Sequence, residues 1–191
     1  MKAAAHMRNP LADALTLRLA QPADAPAIAA LLNTSYRGEA SRAGWTTEAD
    51  LLNGLRATPD DLLPYFPQPD NLFLLLCQDA ELLACIHLER HGQAAHLGMF
   101  AVQPTQQNRG LGKHLCAAAE NHARQHWHSQ RFVMWVVAQR HELIAYYQRR
   151  GYHLTGTRQE FPINPARWTP KVSGLYLLEM QKSADFLQSE S

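Results

Sequence analysis

The sequence predicts a mixed α/β sandwich, a sheet with helices packed on both of its faces. Three observations carry that prediction. Strand-sized apolar runs at 72–77, 82–89 and 95–102 are joined only by the short polar turns Gln78-Asp79-Ala80 and His91-Gly92-Gln93, the pattern of an antiparallel meander. Leu111, Leu115, Ala118, Ala119 and His122 then recur at helical spacing, in a segment that runs to about Trp127. Residues 131–138 read as one more buried strand after that helix, so strands and helices belong to one unit.

The remaining elements follow in order. Residues 15–19 are strand-like, and the turn 21–24 ends on Asp24, a good N-cap. Ile28, Leu31, Leu32 and Tyr36 predict the first helix, with Pro26 in the first turn, where a missing N–H does little harm. Residues 38–44 read as a loop. Thr47 precedes Asp50 by three residues, and with Leu51, Leu52 and Leu55 this predicts a second helix, ended by the prolines at 59, 64, 67 and 69. Beyond the strand at 131–138, residues 142–149 form a short helix closed by Gly151. Strands at 152–157 and 175–181 complete the pattern.

The chain has 191 residues, 46% apolar and 18% charged, which suits one globular domain and is far from the composition of a disordered chain. Residues 1–14 are expected to be a flexible arm, 15–182 the domain and 183–191 a tail. A net charge of +1 leaves no global field for nucleic acid or an anionic membrane. Arg8, Asn9, Pro10 and Asp13 interrupt any signal-peptide core, and no apolar run approaches the roughly 20 residues of a membrane helix. Cys77, Cys85 and Cys116 read as buried thiols in a reducing, cytoplasmic setting. His122 and His126 share a helix face without a third ligand, so no metal is expected.

The chemistry concentrates in 100–113, where Phe100-Ala101-Val102-Gln103-Pro104 leads into Gln107-Asn108-Arg109-Gly110-Leu111-Gly112-Lys113 at a strand-to-helix junction. Glycines there let successive N–H groups converge on an anion, and the helix N-terminus adds its positive dipole end. A Walker A loop would need Gly at Gln107 and Ser or Thr at His114, and a dinucleotide fingerprint would need Gly or Ala at Leu115. Neither fits.

With Gln107, Gly110 and Gly112 in place, the segment resembles the acyl-coenzyme A loop of GNAT N-acetyltransferases. Tyr147-Gln-Arg-Arg-Gly151-Tyr152 resembles the same family's Tyr-x-x-x-Gly-aromatic motif, and the resemblance spans about 16–182. It implies a mostly antiparallel sheet in which two neighbouring parallel strands, 95–102 and 131–138, splay apart around acetyl-CoA, the acyl donor. Implied cofactor contacts are Phe100, Ala101, Val102, Gln107, Asn108, Arg109, Gly110, Leu111, Gly112 and Lys113. Arg140 joins them, standing where many relatives have Asn; Arg109, Lys113 and Arg140 have surface roles open to them as well.

The implied reaction is direct attack of an amine on the thioester, with Tyr147 as general acid. The base is not legible: Glu89, His96 and Glu39 are candidates, each with a structural alternative. Tyr36, Trp45 and Phe66 fall in the stretch that forms the acceptor pocket in relatives. The acceptor is a small-molecule or protein amine, and a homodimer is common in such proteins. A CoA-binding sensor that has lost catalysis, and transfer of a longer acyl group, stay open.

Overall fold

The computed structural model describes residues 15–66 and 68–185. The expected N-terminal arm and residues 186–191 lie outside that range. A seven-stranded sheet forms from β1 (Leu15–Leu19), β3 (Asn71–Gln78), β4 (Glu81–His91), β5 (Ala94–Val102), β6 (Arg131–Val137), β7 (His153–Glu160) and β9 (Tyr176–Ser183), in the order β1-β3-β4-β5-β6-β9-β7. All neighbours run antiparallel except β5 and β6, the one parallel pair. The fold is thus the mixed, mostly antiparallel sheet anticipated above.

The continuous apolar run in β3 has a simple cause, since both faces of the sheet are covered. Phe73, Leu75 and Cys77 pack under α1 (Ala25–Tyr36) and α2 (Pro59–Leu62), whereas Leu74 and Leu76 join the cluster beneath α3 (Leu111–Trp127) and α4 (His141–Gln148). All three cysteines are buried and free. No helix among the described residues is long and apolar enough to cross a membrane. Order continues past residue 182: β9 ends at Ser183, and buried Ala184 donates its N–H to the Gln130 carbonyl at 2.9 Å.

A buried polar knot, which the sequence does not announce, fixes α3 to the sheet. Glu120 accepts the Tyr152 hydroxyl at 2.7 Å and the Lys182 ammonium at 2.8 Å. Its carboxylate therefore joins α3 to Tyr152, just before β7, and to β9.

The helix expected across 47–55 is not formed. Those residues make turns leading into β2 (Leu52–Gly54), which pairs with β8 (Trp168–Pro170) in a separate two-stranded ribbon. Gly54 explains the outcome: its φ is +91°, outside the helical region, and a Cβ there would lie 2.0 Å from the Arg167 carbonyl oxygen. Thr47 Oγ1 accepts the Ala49 N–H and shares a hydrogen bond with the Ser41 hydroxyl, and the true capping box is Thr58 with Asp61 at the start of α2. Asp24 likewise acts one turn earlier than expected. Its carboxylate accepts the Gln21 N–H and an Arg18 ion pair, and makes no cap bond to α1.

Candidate functional site

β5 and β6 pair only through Ala94–His96 and Arg131–Val133. Beyond that, a bulge in β5 sets two residues against one on β4, with Met99 at a left-handed φ of 41°. The parallel strands therefore part, and the β5 edge toward β6 has no strand partner beyond His96 among the described residues. The end of α1 braces the bulge. Tyr36 donates its hydroxyl to the Phe100 carbonyl, and Ser35 donates to the Val102 carbonyl at 3.2 Å.

A cavity of about 510 Å³ opens between the 103–110 loop, the first turn of α3 and α4. Asn108 and Gly110 have φ of 64° and 81°, which turn the chain sharply into α3. Gly110 is the N-cap of that helix and brings no side chain to it, so the first-turn N–H groups, which have no acceptor within a helix, are left to a ligand. A Cβ at Gly110 would meet nothing within 4 Å; its requirement is conformational. Gly112 differs, because a Cβ there would come 3.0 Å from the Tyr146 hydroxyl. Lys113, Arg149 and Arg150 line the same cavity and make it attractive to an anion.

The Gln107 side chain does something the motif alone does not reveal. Its Nε2 donates to Thr46 Oγ1 at 2.9 Å and to the Val102 carbonyl at 3.1 Å, while Oε1 accepts the Trp45 N–H at 2.9 Å. It is a clamp that holds the 44–46 turn to the loop. Arg109 bonds the side chain of Gln106, and Ala101 is buried against the α1 side; neither lines the cavity. Phe100, Val102, Asn108 and Leu111 do. Trp45, expected near the acceptor, also lies here, its ring 5.3 Å from that of Tyr146.

A second cavity of about 340 Å³ meets the first at Tyr36, Phe100, Arg140, Leu143 and Tyr147. Tyr147 comes from α4, packed between the rings of Tyr146 and Tyr152. Burial raises its phenol pKa well above the usual value, so it is a proton holder at neutral pH. Glu89 and His96 face each other across the β4–β5 ladder and both line this smaller cavity. Burial, then the neighbouring His91, lowers the His96 pKa and leaves its imidazole neutral near pH 7. Glu39 lies elsewhere, exposed and paired with Arg42. Phe66 is stacked on Phe73 in the core, and His122 on His126 along α3.

The residue that sequence reasoning missed is Glu48. Buried at the junction, it accepts an ion pair from Arg37 and another from Arg140 at 2.8 Å; Arg140 also donates to the Thr46 carbonyl at 2.6 Å. Burial opposes its ionisation, yet Arg140 and Arg37 outweigh that and hold its pKa below the ordinary carboxylate range. The partners stand 11 and 92 residues away in sequence, so no local pattern signals them. Arg140 thus lines both cavities with its guanidinium committed to Glu48.

A splayed parallel pair, a side-chain-free helix N-terminus beside it and a tyrosine where two cavities meet make up one joined cleft. Sequence comparison identifies the family: the profile of the Acetyltransferase (GNAT) family matches residues 27–152, and the chain belongs to that family. No curated protein matches by sequence. Similar solved structures include the ribosomal-protein-S18-alanine N-acetyltransferase of Escherichia coli, at 16% identity and a TM-score of 0.66, covering 89% of this chain and 94% of that one. The spermidine/spermine N-acetyltransferase SpeG of Vibrio cholerae gives 17%, 0.66, 95% and 99% in the same terms. A protein described as a putative phosphinothricin N-acetyltransferase gives 17%, 0.65, 89% and 98%. At such identities these likenesses establish the fold.

Proposed function

We propose that the protein transfers an acetyl group from acetyl-CoA to a primary amine. The observation that carries this reading is the meeting of the two cavities at Tyr147 and Phe100. The larger suits the donor: its pyrophosphate takes the N–H groups from Asn108 to Lys113, and its pantetheine pairs with the free edge of β5. The smaller receives the amine. Backbone groups beside the bulge polarise the thioester carbonyl as negative charge grows on it.

The amine nitrogen bonds to the carbonyl carbon, the C–S bond breaks, and the thiolate leaves toward Tyr147, whose proton it takes. The attacking nitrogen must first lose a proton, since an alkylammonium has a pKa of about 10.4. His96, neutral and paired in register with Glu89, is the better placed acceptor for it, through water. Acceptors named for the structural neighbours, an alanine of ribosomal protein S18 and spermidine or spermine, define the range of amines to screen.

Isothermal titration with acetyl-CoA tests the donor site directly. The wild type should bind, and Gly110→Trp should not, because a side chain at that left-handed position projects into the open groove. The strain costs about 1–2 kcal/mol, so circular dichroism must show the variant folded; Lys113→Glu, which adds negative charge to the same turn, is the second test. A wild type that does not bind acetyl-CoA ends the proposal.

A further inference from the structure

From the smaller cavity we infer that the acceptor is an amine bearing a carboxylate and an apolar side chain, as in an apolar α-amino acid, and not a polyamine. The inference rests on that cavity being the acceptor site. Its charged lining consists of Arg37, Arg56 and Arg140 against Glu48 and Glu89, an excess of one positive charge. One of the two negative charges is already engaged, since Glu48 lies between Arg37 and Arg140; Glu89 has only the His91 imidazole at 3.2 Å and stands half-exposed at the rim. That leaves only the rim carboxylate of Glu89 for the second ammonium of a polyamine, in a lining whose net charge is positive.

Arg56 is different. Its guanidinium makes no hydrogen bond or contact ion pair among the described residues and acts on Glu48 only through space, although it is half-buried in the cavity wall. Its backbone is held firmly: Asn33 in α1 accepts the Arg56 N–H at 2.6 Å and donates to the Ala57 carbonyl at 2.8 Å. Arg37 adds a buried Nε–H with no partner among the described residues. A guanidinium with no contact partner is a two-pronged donor for a carboxylate, the geometry arginine provides and lysine does not. His87 and His96, both with lowered pKa, leave the cavity's charge unaltered at neutral pH.

The rest of the wall is apolar. Phe161, Pro162 and Trp168 close one side, and the Trp168 indole N–H donates to the Pro162 carbonyl at 3.0 Å, which fixes that rim. Met134 and Val136 of β6 add further apolar surface. A substrate held by its carboxylate on Arg56 sets its side chain against this wall and its amine toward Tyr147.

The experiment compares initial rates, with acetyl-CoA, on leucine and phenylalanine, their carboxamides, the matching decarboxylated amines and spermidine. The acids should exceed their carboxamides and amines by at least about tenfold in kcat/KM, as expected where a site's polar group is left unpaired by an analogue. In Arg56→Gln that ratio should collapse toward one through KM, and Arg56→Lys should restore part of it. Equal rates on acids and amides, a preference for spermidine, no turnover of any acid, or an Arg56→Gln ratio like that of wild type would each overturn the inference. Titration with acetyl-CoA alone separates the two levels: if the donor binds and the acids fail, only the acceptor class is wrong. If the donor does not bind, the acyltransferase reading falls and takes this inference with it.

Discussion

Tyr147 shows how one residue's motif can be legible in sequence while its surroundings are not. The spacing to Gly151 and Tyr152 is local, so the motif can be read; that its phenol stands where two cavities meet follows only from the chain's return through α1 and β5. Tyr147→Phe keeps the ring and its packing on Tyr146 and Tyr152 while removing the proton. We expect kcat to fall about 100-fold, the lower end of what a positioned acid contributes, with acetyl-CoA affinity and thermal midpoint nearly unchanged. A kcat within twofold of wild type would remove Tyr147 from the chemistry. Glu48 is the opposite case: a glutamate in a polar stretch reads as solvated, and only long-range folding brings it between two arginines.

At the scale of elements, apolar runs and short turns were enough for the meander, because strand pairing between chain neighbours is encoded nearby. The ribbon of β2 and β8 was not, since its partners lie far apart in sequence and three leucines at 51, 52 and 55 imitate a helical stripe. Gly54 inside that stripe was the available warning. Similarly, α3 was plain from its periodicity, yet Glu120 sits on its buried side and looks like an error until Tyr152 and Lys182 are placed against it. Glu120→Ala removes the carboxylate that both of them bond, and breaking a buried ion pair in this way costs about 3–5 kcal/mol. Urea unfolding should show a lower midpoint with an unchanged slope; a loss under about 1 kcal/mol would mean that the knot is dispensable.

For the molecule as a whole, buried ionisable groups, several of them around the smaller cavity, tie stability to pH. Burial lowers His87 from 6.5 to about 4, with its ring against Tyr65 and Phe73 and its Nε2 paired with Asn71. Between those values the unfolded chain binds a proton that the folded one refuses, so stability is full above about pH 6.5 and declines as pH falls toward 4, by at most about 3 kcal/mol. His96 and His122, also lowered, act in the same direction. Glu48 adds a separate loss at lower pH: its folded pKa is depressed, so its contribution persists above the ordinary value of 4.5 and disappears as pH falls through the folded one. Urea midpoints from pH 8 to 4 should therefore stay level, then fall below 6.5. His87→Gln, which retains a polar partner for Asn71 but does not titrate, should flatten most of the fall between 6.5 and 4 and leave the steeper acid loss in place. An identical decline in that variant would assign the effect to other groups and leave His87 protonated inside the fold.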